Sequence, residues 1–189
     1  MTNNKNTKGY KDLAFFKQTE IIYDFTVKFC QKFIDKNYGD YKSYKHYSRQ
    51  ADQMIQAARS GKQNIAEGYL QKSMEGKLKL LGVARGSLEE LLNDYQDFLR
   101  QLKLPIWGQD DPKSMAIRRI AYNRYKNYKS YKFYIKTPEM AANAMICLIN
   151  QTNRMLDQKL RWTEEQFVKE GGFRENLLKK RLAYRNSNR

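Results

Sequence analysis

A chain of 189 residues with 41% hydrophobic side chains can bury one core of ordinary size, and 36 Lys and Arg against 20 Asp and Glu leave a net charge of +16. Nowhere do about 18 apolar residues run together, which excludes a membrane-spanning helix, and the polar opening MTNNKNTKGY lacks the apolar core of a signal peptide. A single histidine, His46, excludes metal sites built from several histidines and disfavours a Ser–His triad.

Residues 1–10 are expected to form a disordered polar tail, 11–170 a helical body and 171–189 a basic C-terminal suffix. The first predicted helix, roughly 11–36, repeats Phe15, Ile22 and Phe29 every seven residues. The second, roughly 42–70, carries two rows: Tyr47, Met54, Gly61 and Gly68, then Ala51, Ala58 and Ile65. The third, roughly 74–103, opens on Ser73 as N-cap and repeats Leu81, Leu88, Tyr95 and Leu102 with Ala84, Leu91 and Phe98. Glycine inside a helix costs roughly 1 kcal/mol relative to alanine. Gly61, Gly68, Gly82 and Gly86 therefore predict a close approach of the second and third helices, with a polar network of Asn64, Glu67, Arg85 and Glu89 beside it.

Segment 105–136 reads as an insertion: a turn, a short helix near 113–124 starting at Asp111-Pro112, then AYNRYKNYKSYKFYIK. In that stretch Tyr122, Tyr125, Tyr128, Tyr131 and Tyr134 recur every third residue, with only bases as charged residues between them. At 100° per residue such spacing winds around an α-helix, so the rings cannot all face one buried surface. A shorter echo, NYGDYKSYKHY, places Tyr38, Tyr41, Tyr44 and Tyr47 at the same interval. The fourth predicted helix opens at Thr137, Pro138 and Glu139 and buries Ala141, Met145, Leu148, Ile149, Thr152, Met155, Leu156 and Leu160. Gly171-Gly172 ends it. The fold class expected is all-α: an antiparallel up-down four-helix bundle with a short helix or loop inserted between helices three and four, and a basic helical suffix.

Charge is clustered. Residues 105–136 hold eight bases and two acids, and 171–189 hold six bases and one acid. Localised positive charge attracts polyanions. Interleaved Tyr and Lys suits single-stranded nucleic acid, where rings stack on bases and cations meet phosphates. The competing reading is packing: the rings pin the connection to the bundle. The suffix FRENLLKKRLAYRNSNR reads either as an amphipathic helix docking on a partner or as a basic arm. Cys30 and Cys147 lie in apolar patterns and read as buried thiols in a reducing cytoplasm. No catalytic constellation, Cys-x-x-Cys pair, P-loop or di-metal Glu-x-x-His pattern is present, and no cofactor is expected.

Residues 59–92, RSGKQNIAEGYLQKSMEGKLKLLGVARGSLEELL, resemble the bacterial four-helix bundle proteins that include ribosomal-RNA intervening-sequence proteins and the accessory variability determinants of retroelements. The carrying blocks are Asn64-Ile65-Ala66-Glu67-Gly68 and Ala84-Arg85-Gly86-Ser87-Leu88-Glu89-Glu90. DYQDFLRQLKLPIWGQDDPKSMAIRR, PEMAANAMICLINQTNRMLDQKL and EGGFRENL resemble the longer subgroup with a suffix domain. The resemblance implies a ring-like homopentamer with a basic nucleic-acid surface, and for the retroelement relatives a reverse transcriptase partner. It implies no catalytic residues; Asn64, Glu67, Gly68, Arg85, Gly86 and Ser87 carry over as structural motif residues.

The expected function is therefore a non-catalytic homo-oligomer, a pentamer favoured, that binds RNA or single-stranded DNA. The residues expected to contact it are Lys42, Lys45 and Arg49; Arg118, Arg119, Arg124, Tyr125, Lys126, Tyr128, Lys129, Tyr131 and Lys132; and Lys179, Lys180, Arg181 and Arg185. The alternative is an adaptor that docks on a nucleic-acid enzyme such as a reverse transcriptase. Membrane attachment is not expected, because few large apolar side chains of the basic suffix read as exposed for insertion.

Overall fold

The computed structural model describes residues 9–34, 41–123 and 127–188, with side chains of the second helix described from Arg49 onward. Among the described residues every regular element is helical. A 3-10 turn, Tyr10–Asp12, leads into α1 (Ala14–Phe29), which widens into a π turn at Cys30–Ile34. Then follow α2 (Tyr41–Leu70), α3 (Met74–Gln101), α4 (Pro112–Tyr122), the single turn α5 (Tyr128–Tyr131), a 3-10 turn (Lys132–Lys136), α6 (Pro138–Glu170) and α7 (Phe173–Ser187).

The caps lie where the sequence places them. Ser73 Oγ accepts the Gly76 N–H at 3.0 Å, and Thr137 Oγ1 accepts that of Met140 at 3.2 Å. Asp111 Oδ1 accepts the Lys113 N–H at 2.7 Å, with Pro112 at the first helical position. Gly171 ends α6 with φ of 78°, a left-handed conformation that glycine adopts without a Cβ clash.

α1 and α3 each pack on both α2 and α6, so the four long helices close a cycle around one core. Partners on neighbouring helices run in opposite order. An ideal Cβ at Gly61 would meet Leu88, and one at Gly68 would meet Leu80. Phe15 packs at a tilt against Tyr69, ring centroids 6.2 Å apart, while the Cys30 thiol reaches the Ala51 carbonyl at 3.8 Å. Between α3 and α6, Arg85 donates from Nε to Asp157 at 3.0 Å and from Nη1 to Glu89 at 2.6 Å, and Asn153 donates to Glu89 at 3.2 Å. The seven-residue rows fill the core: Phe15, Ile22 and Phe29; Ala51, Met54, Ala58 and Ile65; Leu81, Leu88 and Tyr95. Fully burying a large apolar side chain contributes roughly 1.5–3 kcal/mol.

Three expectations change. Gly61 and Gly68 do line the α2/α3 contact, but Gly82 and Gly86 face open space, because they sit on the opposite side of α3 from Leu81, Ala84 and Leu88. The polar network divides. Ser60 and Ser87 hydroxyls bridge α2 and α3 at 2.8 Å and Asn64 donates to Ser60, whereas Arg85 and Glu89 turn to α6 and Glu67 is exposed. Leu102, one residue past α3, is exposed rather than part of its buried row.

Asn143 holds the segment after α3. Its side chain accepts the Trp107 N–H at 2.8 Å and donates to the Pro105 and Glu139 carbonyls at 2.9 Å. Trp107 Nε1 donates to Glu139 Oε1 at 2.7 Å. These bonds lay the connection along α6 and position α4 on the same helix.

Candidate nucleic-acid interface

α4 is built to show one basic edge. Ser114, Ile117 and Ala121, at helical spacing, are buried on the α6 side. Arg119 and Tyr122 are consequently exposed and Arg118 is half-buried. The Tyr122 ring, 85% exposed, stands at the C-terminal end of α4. Asn123 then leaves the helix with extended backbone.

The tyrosine repeat does not form one helix. Asn127 starts α5 anew, its side chain accepting the Lys129 N–H at 2.9 Å while Ser130 Oγ accepts its own N–H at 3.3 Å. Tyr128 is half-buried with its ring 6.1 Å from Phe25, and Tyr134 is half-buried beside Phe133. Tyr131 is fully buried. Its hydroxyl has no hydrogen-bond partner, and burial pushes its pKa far above the ordinary value. Tyr131 is therefore a packing residue, which corrects its assignment to a binding surface. Tyr128 shows only part of its ring. Lys129, Lys132 and Lys136 are exposed, and Lys32 of the π turn donates to the Ile135 carbonyl at 2.7 Å, tying this segment to the end of α1.

Lys42, Lys45, Arg124, Tyr125 and Lys126 lie outside the residues whose side chains are described. Arg49 on α2 is exposed, as are Lys179, Lys180, Arg181 and Arg185 on α7. α7 also exposes Phe173, Leu177, Leu178, Leu182 and Tyr184, which corrects the expectation that few large apolar side chains of the suffix stand exposed; they are not spent on the core. Cys30 is buried and Cys147 only half-buried, and neither is in a disulfide.

The structure adds residues that the sequence reading did not single out. A cleft of about 880 Å³ opens between the start of α1, the end of α4 and the middle of α6. Lys17, Arg118 and Arg154 line it, with Asp12 as the one carboxylate and Tyr122 at its wall. Lys17 Nζ lies 3.4 Å from Asp12 Oδ1, and the Arg118 guanidinium also donates to the Gln109 carbonyl. Gln18, Gln151 and Gln158 add amides to the lining. The sequence signal was the polar stripe Gln151, Arg154 and Gln158, one helical face at intervals of three and four beside the apolar face of α6. The cleft brings Arg118 together with α1 and α6 cations; Arg49 and the α7 bases do not line it.

Among the described residues, no helix is long and apolar enough to cross a membrane, and no cluster of His, Cys, Asp and Glu could hold a metal ion. No protein-family model, curated protein or solved structure matches the chain.

Proposed function

We propose that this chain is a non-catalytic, oligomeric protein that binds RNA or single-stranded DNA, with α1, α2, α3 and α6 forming an antiparallel up-down four-helix bundle. The bundle reading draws on the closed cycle of four packed helices and the opposed order of their contacts. The observation that carries the binding reading is the exposed Tyr122 ring beside a cleft with Lys17, Arg118 and Arg154 on its walls. An exposed ring supplies stacking and the cations supply phosphate attraction. Lys129, Lys132 and Lys136 extend the positive surface along the same segment. Assembly as a homopentamer and membership of the four-helix bundle family follow from the resemblance of residues 59–92, the suffix subgroup follows from that of 94–119, 138–160 and 170–177, and all are part of the proposal. Cys30 and Cys147, neither in a disulfide, suit a reducing cytoplasm.

The test is fluorescence anisotropy with labelled single-stranded RNA, single-stranded DNA and duplex DNA over a salt series, with the oligomer's mass measured alongside. Single strands should bind more tightly than duplex, and affinity should fall steeply with salt. Absence of binding at low salt would overturn the reading. A second reading, an adaptor for a nucleic-acid enzyme such as a reverse transcriptase, is favoured by one observation: the exposed apolar side chains of α7. It predicts a stable complex on co-purification and little binding to free nucleic acid.

A further inference from the structure

We infer that the cleft between α1, α4 and α6 is a site for one nucleotide unit, its base stacked on Tyr122 and its phosphate held by Lys17, Arg118 and Arg154. The inference rests on the nucleic-acid reading for its choice of ligand. Four observations carry it. The volume, about 880 Å³, lies in the range of small-ligand sites. Three cations face one carboxylate, so the cleft favours an anion, and Asp12 already engages Lys17. An aromatic ring that is 85% exposed stands at the same opening, where a planar heterocycle can cover it.

The fourth observation is Gln151. Its Nε2 donates to the Arg118 carbonyl at 3.3 Å, which orients the amide, while its Oε1 is buried without a hydrogen-bond partner. A buried acceptor left unpaired costs about 1–3 kcal/mol, so a ligand N–H that reaches this oxygen, with the amide held by its bond to Arg118, offsets that cost. Nucleobases supply N–H donors at their edges and a ring to cover Tyr122; inorganic phosphate at neutral pH offers O–H groups but no ring. The polar complement of the cleft therefore matches a nucleotide better than a simple anion. Arg118 and Gln151 also link the two walls, since the Gln151 bond joins α6 to α4.

The experiment titrates the full-length protein with adenosine 5′-monophosphate and, separately, with inorganic phosphate, by calorimetry. Labelled single-stranded RNA is measured in parallel. Tyr122→Ala and Arg154→Ala are the variants; both side chains are exposed, and helical circular dichroism confirms that each folds. The expected result is one nucleotide per chain, bound more tightly than phosphate. Removing the ring should weaken the nucleotide by about 5- to 100-fold and leave phosphate nearly unchanged. Arg154→Ala should weaken both.

Single-strand binding without nucleotide binding, or nucleotide binding indifferent to both variants, would overturn the cleft assignment and leave the nucleic-acid reading standing. Equal affinity for phosphate and nucleotide would overturn the base-stacking role. Nucleotide binding sensitive to both variants, without single-strand binding, would support the site with a free nucleotide as its ligand and remove the strand as its source.

Discussion

The hydroxyls of Thr26 and Tyr95 lie 2.9 Å apart between α1 and α3, and neither residue is exposed. The Tyr95 ring packs edge-on to Phe29 at 4.9 Å, so the pair sits within an aromatic cluster closed to water. Tyr95→Phe or Thr26→Val alone should destabilise the protein by about 1–2 kcal/mol, because each leaves a buried hydroxyl alone. The double variant should cost less than the sum of the two, since no orphan remains. Urea unfolding of the three variants gives the coupling directly.

Two glycines of similar helical setting should respond with opposite signs. A Cβ at Gly61 would stand 2.9 Å from Leu88 Cγ and Cδ2, and Leu88 is fully buried. Gly61→Ala should destabilise by about 1–3 kcal/mol through overpacking. At Gly86 a Cβ meets nothing within 4 Å, so Gly86→Ala should stabilise the folded chain by about 0.5–1 kcal/mol through helix propensity alone. Thermal melts of the two variants against the parent decide the matter.

Asp94 gives stability a pH dependence of definite sign. Burial, with Glu90 and Asp97 nearby, pushes its pKa from 3.8 up to about 6. Its Oδ2 is buried with no hydrogen-bond partner. The folded state therefore binds this proton more tightly than the unfolded chain. Stability from this group is fully present below pH 4 and is lost as pH rises through 6. With solvent screening of a half-buried group, the loss is about 1 kcal/mol. Asp94→Asn should remove that slope, so the difference between variant and parent in urea midpoint should grow between pH 4 and 7.

Tyr122 and Tyr131 separate binding from folding. Tyr122→Ala should leave the melting temperature within error and weaken single-strand binding more than duplex binding. Tyr131→Ala should destabilise by about 3–5 kcal/mol, as for other large core truncations. Tyr131→Phe should be neutral or slightly stabilising, because it removes a buried hydroxyl that has no partner. Equal effects of the two alanine variants on stability would refute this division of roles.

The long helices were legible because their buried rows repeat every seven residues and their caps use Ser73, Asp111-Pro112 and Thr137 in standard positions. Periodicity says which side of a helix is apolar. It says less about glycine, which reads as a close contact at Gly61 and as open surface at Gly86 with the same local sequence character. The tyrosine repeat could not say which rings are buried, for a related reason. An interval of three has meaning only within one continuous helix, and Asn123 ends α4 before the next ring is reached. The side chains of the cleft come from α1, α4 and α6, about 140 residues apart at the extremes, so only packing brings them together. Asn143 was hidden for the same reason: its partners, Pro105 and Trp107, lie across a loop.

The joint before α7 has a consequence for how that helix can change. Gly172 is buried against Glu75 and Phe167, its N–H donates to Glu175 at 3.2 Å, and Asn176 donates to the Glu170 and Gly171 carbonyls. Nucleating a helix is its costly step, and each later residue adds close to nothing or a small gain. In α7 the first turn is already tied by these bonds to the end of α6, so its growth is a matter of propagation alone. A partner that covers Leu177, Leu182 or Tyr184 need only tip a nearly balanced propagation, and the helix can fray from its far end without disturbing the core.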